Sequence, residues 1–369
     1  MSDFIIVGGG LIGLLVAREL SEAGATVAVV ERGEPGKEAS WAGGGILSPL
    51  YPWRYPDPVN ALARWSQAYF PELAATLAAE TGIDPEWTPS GLLMLDSGEH
   101  AAAQAWAERW GARFEQVSSD ALIELEPALT PPAGPALWWP ELAQVRNPRL
   151  LQALVHGLML NKRVTLHSGL AVTSLLDEGD VVRGVRTAER VMRADAVVVA
   201  AGAWSAVLLG PVVGGWDVAP VRGQMLLFKT PPAWIRHIVL ADGHYLVPRR
   251  DGRVLAGSTL EYVGFDKSTT PAAYRDLHAA ALRMVPELAA CPVERHWAGL
   301  RPGSPEGVPM IGAHPARRGL YVNAGHFRNG VVTGPASARL LADLLLGRPA
   351  VVDPAPFRPG RLAESGAGS

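Results

Sequence analysis

The stretch that decides the fold is FIIVGGGLIG, residues 4–13, together with TVAVVE, residues 26–31. Phe4 to Val7 is a short apolar run that enters glycines, Leu11 to Ala23 has the apolar spacing of a helix, and Thr26 to Glu31 is rich in β-branched residues. The order is strand, tight turn, helix, strand. Gly8, Gly10 and Gly13 satisfy G-x-G-x-x-G in that context. The first glycine makes the turn, the second lets backbone approach a pyrophosphate, and the third lets helix and strand pack closely. An anion there rests on the helix N-terminus, where free N–H groups and the dipole favour negative charge. Glu31 follows Gly13 by 18 residues, at the end of the second strand, where a carboxylate accepts hydrogen bonds from a ribose diol and repels a 2′-phosphate. The pattern predicts an adenine dinucleotide other than NADP.

Composition narrows the rest. The chain has 369 residues, is 48% hydrophobic and carries a formal charge of −3, with both signs spread along it. It can bury a large core and offers no basic face for nucleic acid. One cysteine, Cys291, excludes an internal disulfide framework and a cysteine-rich metal site, and a reducing cytoplasm is the simplest compartment. The apolar stretch from Phe4 to Leu20 has no basic region before it and contains Arg18 and Glu19, unlike a signal peptide. No later apolar run approaches the length that spans a bilayer, so neither a metal nor a membrane partner is expected.

Three later segments favour FAD over NAD. ADAVVVAAGAWS, residues 194–205, is a buried strand running into small residues that permit close approach to a dinucleotide, although alone it reads as a plain core strand. SWAGGGI, residues 40–46, is a second flexible backbone stretch, and GHFRNGVV, residues 325–332, precedes the last helix, whose N-terminus can face an electron-rich ring. Contacts spread over the whole chain suit a long extended cofactor. That last helix is expected to start at Gly334-Pro335 and to end near Leu346, with Gly347 as a left-handed cap. Asn147-Pro148 reads as a helix start with Asn147 as N-cap. The tail from Pro354 to Ser369 reads as loosely ordered.

Short strand patterns recur at Leu92 to Leu95 and Leu137 to Trp139, then at Gln224 to Phe228, Tyr245 to Val247, Val254 to Ser258 and Val293 to Trp297. Two domains built from separated pieces follow: residues 1–86, 147–220 and 300–369 for the cofactor, 87–146 and 221–299 for the substrate.

With Ala39-Ser40-Trp41 and its following glycines, HYLVPRRDGR (residues 244–253), HWAGLRPGSPEGVPMIG (residues 296–312) and AGHFRNG (residues 324–330), nearly the whole chain resembles the D-amino-acid oxidase superfamily of flavoproteins, and most closely the glycine oxidases of thiamine biosynthesis. The resemblance implies a mixed α/β fold: a Rossmann-type FAD domain of the glutathione reductase kind and a second, mostly antiparallel sheet domain. It implies that FAD is held by Gly8, Gly10, Leu11, Ile12, Gly13, Glu31, Arg32, Ala39, Ser40, Gly44, Gly45, Ile46, Val172, Ala201, Gly202 and Trp204, with His326, Phe327, Arg328, Asn329, Gly330, Val331 and Val332 around the flavin. No cysteine stands between Gly299 and Pro305, where the related sarcosine oxidases tether flavin, so the bond is expected to be non-covalent. A homotetramer is implied as well.

For the substrate, Arg301 follows a strand pattern, and a guanidinium there can grip a carboxylate with two parallel bonds. Tyr245 can donate to the same carboxylate, or be a half-buried sheet aromatic. By resemblance Arg328 contacts substrate and cofactor surroundings, and Leu260 forms a pocket wall that excludes larger side chains. His244, His296 and His326 invite an acid–base role. The resemblance implies instead hydride transfer from the substrate α-carbon to flavin N5 with no obligatory protein base, giving glyoxylate, ammonia and hydrogen peroxide from glycine, and activity on sarcosine and small D-amino acids. A quinone-linked D-amino-acid or amine dehydrogenase of the same fold is the alternative, and a non-enzymatic flavin-binding module would leave Arg301 and Tyr245 without a reason to converge. YPWRYPDP, residues 51–58, is read as a lid over the pocket or a rigid solvent loop.

Overall fold

The computed structural model describes residues 2–95, 98–132, 134–210 and 218–360. Its first strand, Ser2–Val7, lies between Val27–Val30 and Val191–Val199 and is parallel to both, with Ile6 beside Val29 on one side and Val198 on the other. Its faces are covered as well, Ile6 by the helices and Ile5 and Val7 by the core under an antiparallel meander, which is why the run is continuously apolar. The main path of this eight-stranded sheet runs Met310–Ala313, Leu320–Ala324, Val191–Val199, Ser2–Val7, Val27–Val30, Val164–His167, antiparallel at the Met310–Ala313 edge, and Val191–Val199 also pairs antiparallel with Val181–Thr187, which carries Val172–Glu178. Helices Leu11–Glu22, Asp57–Thr81, Asn147–Leu160 and Gly330–Leu346 supply one core, through Leu14, Phe70, Leu73, Leu154 and Leu340. A second core lies against an antiparallel meander, Val172–Glu178 and Val181–Thr187, through Ile5, Val7, Val182 and Val197.

The second sheet runs Val293–Gly303, Ala219–Lys229, Arg253–Gly257, His244–Pro248, Ile238–Ala241, Leu92–Met94, Ala136–Trp139, Glu115–Val117. Its pairs are antiparallel except Ile238–Ala241 with Leu92–Met94. Helix Pro271–Met284 packs on it through Leu277, Ala281 and Met284. The 87–146 region is less purely strand than its pattern suggests, since it also holds helices His100–Trp110 and Ser119–Leu125.

Several expectations shift. The positions 220/221 and 299/300, where domain boundaries were drawn, fall inside Ala219–Lys229 and Val293–Gly303, because those two strands pair from Ala219 opposite Gly303 down to Phe228 opposite Val293. The last helix begins at Gly330, not at Gly334-Pro335. Gly334 is there for packing: a Cβ on it would come within 3.2 Å of the Leu15 side chain of the neighbouring helix. Gly347 does cap this helix in the left-handed region, at φ 64°. Asn147 is the first residue of its helix and Arg146 the cap. In the tail, Phe357 is buried on a short 3₁₀ turn, which anchors the chain, while residues 361–369 lie outside the described residues. Among the described residues no helix is long and apolar enough to cross a membrane.

Candidate active site

The glycine turn is dictated by backbone packing. Gly8 has φ +111°, and a Cβ there would sit 2.4 Å from the Ala200 carbonyl oxygen; one on Gly13 would sit 2.0 Å from the Gly8 carbonyl oxygen. Neither neighbour is a movable side chain, so only glycine fits. At Gly10 the nearest protein atom to an added Cβ is Ser40 Oγ at 3.4 Å, and at Gly202 nothing lies within 4 Å. Both glycines line a cavity of about 430 Å³, so their bare backbone faces its contents. Glu31 is held in place by accepting from the Gly9 N–H at 2.8 Å and the Gly33 N–H at 2.9 Å, and it lines the same cavity. Its oxygens keep lone pairs for a diol. Arg32 lies 3.6 Å over the Trp204 ring and pairs with Glu38, forming a wall near Val172.

The same cavity runs on to Tyr245, Arg301 and the loop before the last helix. Arg301 is near the end of Val293–Gly303, opposite Val221, and its guanidinium lies flat on Gly223, where a Cβ would be 2.1 Å from Nη1. Nη1 donates to the Thr259 carbonyl at 3.0 Å and more weakly to that of Arg222 at 3.4 Å; Nη2 donates to Ser258 Oγ at 2.7 Å. Burial pushes the Arg301 pKa down, the neighbouring Tyr245 supports the charge and Arg328 opposes it. Among the described residues no carboxylate forms an ion pair with Arg301 or Arg328. Tyr245 is buried with its ring over Gly44 and Gly257, where added Cβ atoms would lie 3.0 and 2.7 Å from it. Three glycines on different segments therefore leave the slots these two side chains occupy. The only signal in the sequence was glycine inside strand patterns.

Two supporting residues were missed. Arg249 is buried and donates to Gln144 Oε1 at 2.7 Å and to the carbonyls of Val145 at 3.0 Å and Gly44 at 2.8 Å, which fixes the Gly44–Ile46 turn. Burial, with Arg146 adding like charge, brings its pKa down to about 10. Asn147 donates to the Ser40 carbonyl at 2.7 Å and so holds the other end of that turn. In the sequence one is merely the first of two arginines and the other resembles a helix cap.

None of the three histidines stands as a free base on the cavity wall. His244 bonds the Asp242 carbonyl and His296 packs on Tyr274, and neither lines the cavity. His326 does, but its Nε2 meets Asn323 Oδ1 at 2.8 Å and its Nδ1 meets Thr333 Oγ1 at 3.0 Å. Because the Asn323 amide N–H₂ donates to the Ser337 carbonyl, its oxygen accepts from His326, which puts the imidazole proton on Nε2. Burial pushes the His326 pKa to about 3, so the ring is neutral.

The cavity also receives the N-terminus of Gly330–Leu346, which has no side-chain cap, and the Asn329 amide nitrogen there is buried without a partner. Free donors of this kind suit an electron-rich ring. With the bare glycines at the other end, these residues fit an extended flavin dinucleotide. Of the residues expected at the site, the structure brings all to the cavity wall except Gly13, Val332 and Leu260. Gly13 and Val332 pack behind it, and Leu260 is 45% exposed on a turn, so it forms no wall of this cavity. None of residues 51–58 lines it either: Tyr51 is buried, edge-on to Trp53, and its hydroxyl accepts from the Gly243 N–H.

A family model described as FAD dependent oxidoreductase matches residues 3–344. The chain is 49% identical over 359 residues to a glycine oxidase of Pseudomonas aeruginosa, covering 97% of this chain and 99% of that one. It is 48% identical to a glycine oxidase of Pseudomonas putida, over 97% and 98% of the two chains. Among solved structures, a glycine oxidase from Geobacillus kaustophilus superposes with a TM-score of 0.90 at 31% identity, over 98% of each chain.

Proposed function

The chain belongs to the family of FAD-dependent oxidoreductases, and from that premise we propose that it is a glycine oxidase, converting glycine, O₂ and water to glyoxylate, ammonia and hydrogen peroxide. The observation that carries this reading is Arg301, a guanidinium that has no carboxylate partner among the described residues and lines the same cavity as the dinucleotide turn. Its N–H groups bond Thr259, Arg222 and Ser258, and Tyr245 bonds it as well, which aims it while donor capacity is left for a substrate carboxylate. Tyr245 closes the slot beside it. FAD, when bound, supplies the acceptor for the two electrons of the α-C–H bond and hands them to O₂.

The protein's contribution is position: a carboxylate held at Arg301 presents a short substrate to the flavin side of the cavity at high effective concentration. A neutral His326 with both nitrogens engaged offers no base, so the substrate reacts through its neutral amine. Small amines such as sarcosine and D-alanine belong to the same substrate class. We read the parallel sheet and its helices as the cofactor-binding part and the antiparallel sheet as the substrate-binding part. The finer assignments that accompany this reading are a cytoplasmic homotetramer, non-covalent FAD and a product destined for the thiamine thiazole.

The test is to purify the protein, record a flavin spectrum, and follow O₂ uptake and peroxide with glycine, sarcosine and D-alanine. Peroxide formed from glycine in step with O₂ is expected. Flavin reduction by glycine without O₂ uptake would overturn the oxidase in favour of a dehydrogenase, and a colourless protein that binds no FAD would overturn the reading altogether.

A further inference from the structure

Two of the three oxygens that aim Arg301, Ser258 Oγ and the Thr259 carbonyl, sit on the turn that leaves strand Arg253–Gly257. Apolar packing does not hold this turn, because Leu260 is 45% and Tyr262 73% exposed. It is held by the backbone of Glu261 exchanging hydrogen bonds with that of Arg222, by a long bond of 3.4 Å from the Thr259 N–H to the Gln224 carbonyl, and by the Glu261 carboxylate. Glu261 Oε1 accepts from Thr259 Oγ1 at 2.5 Å and from Gln224 Nε2 at 2.9 Å, and Oε2 accepts from Arg222 Nη2 at 2.6 Å. Thr259 Oγ1 in turn accepts from the Gln224 N–H at 2.9 Å. Burial alone would raise the Glu261 pKa, but the bonds from Arg222, Thr259 and Gln224 hold it below the usual range, so the group is a carboxylate.

The donors come from both sides of the junction, the buried Arg222 and Gln224 from the strand and Thr259 from the turn. Arg222 is also paired with Asp266 at 2.6 Å, so its charge is balanced locally, whereas among the described residues Arg301 has no carboxylate partner.

We propose that Glu261 is a positioning residue for the substrate carboxylate: by tying Thr259 to Arg222 and Gln224 it fixes the carbonyl and hydroxyl oxygens that orient the Arg301 guanidinium. The proposal rests on the reading of Arg301 as the carboxylate-binding group, and its test does not require turnover. Glycolate is titrated into the yellow holoenzyme and its affinity read from the flavin absorbance change.

For Glu261→Gln, glycolate affinity falls and KM for glycine rises, each about tenfold as expected for coupled members of one hydrogen-bond network, with kcat within about twofold and FAD content unchanged. Glycolate affinity and KM both within about twofold of wild type would overturn the proposal, as would a loss of kcat that merely follows a loss of FAD. If Glu261→Gln does not fold, Thr259→Val and Thr259→Ser decide: weakened glycolate binding in the first, restored in the second, supports the role, and equal affinities overturn it. A wild-type holoenzyme that binds glycolate but does not oxidise glycine would count against the proposed reaction alone. One that binds no glycolate would overturn both.

Discussion

Replacing Arg301 with alanine removes a charged group at the substrate end that is held by fixed hydrogen bonds and has no carboxylate partner among the described residues. A hydrogen bond to a charged group contributes about 1.5–3 kcal/mol, so a carboxylate gripped through two such bonds loses about 3–6 kcal/mol of binding when the guanidinium is removed. At about 1.4 kcal/mol per factor of ten, kcat/KM for glycine falls by about 10² to 10⁴. Most of the loss appears in KM, because the carboxylate is gripped in ground and transition states alike. Arg301→Lys restores the charge but not the planar fork, so it recovers only part of the loss. The assay is initial-rate O₂ uptake over a range of glycine concentrations, with FAD occupancy measured on the same samples. Arg301 touches the cofactor end through no hydrogen bond, so occupancy is expected to hold. A fall in kcat/KM of less than about fivefold in Arg301→Ala with full FAD would refute the reasoning.

Other outcomes follow from single features. Gly13→Ala sets a methyl group 2.0 Å from the Gly8 carbonyl oxygen, so it lowers stability by at least about 1–3 kcal/mol and empties the protein of FAD, checked by thermal unfolding and flavin absorbance. His326, neutral when folded with a pKa of about 3 and near 6.5 when unfolded, binds a proton first in the unfolded chain as pH falls. Stability is therefore lost between pH 6.5 and 3, at up to about 1.4 kcal/mol per pH unit, and denaturant unfolding of His326→Gln shows a shallower acid slope in that window. By the same fact, kcat/KM above pH 6 carries no limb that disappears in a His326 variant. Leu260→Ala changes kcat/KM for glycine by less than about threefold, because an exposed side chain outside the cavity makes no contact there to lose; a larger effect on steady-state rates would restore it as a pocket wall.

The first thirty-one residues are readable without coordinates because the patterns that define their strands, helix and glycine turn are local. Strands Ser2–Val7 and Val27–Val30 follow from short continuous apolar runs and helix Leu11–Glu22 from the 3.6 period, and Gly8 and Gly13 are demanded by backbone of the adjoining segment at Ala200 and of the same unit. The segments at 40–46, 194–205 and 325–331 were likewise legible as bare or small-residue backbone, and they do meet in one cavity.

Where the sequence misled, a local signal had a distant purpose. Gly334-Pro335 has the form of a helix start, but its glycine clears Leu15 of another helix, and Asn147 has the form of a cap, but its amide reaches Ser40. What the sequence by itself determined is thus the dinucleotide-binding unit and the residue types a carboxylate site requires. Only the tertiary structure decided which residues aim Arg301 and Tyr245, through Arg249 bonding Gly44 from 205 positions away and Glu261 joining Arg222 and Gln224 across a turn. Those contacts arise from pairing between strands far apart in the chain, and no periodicity within either strand records its partner.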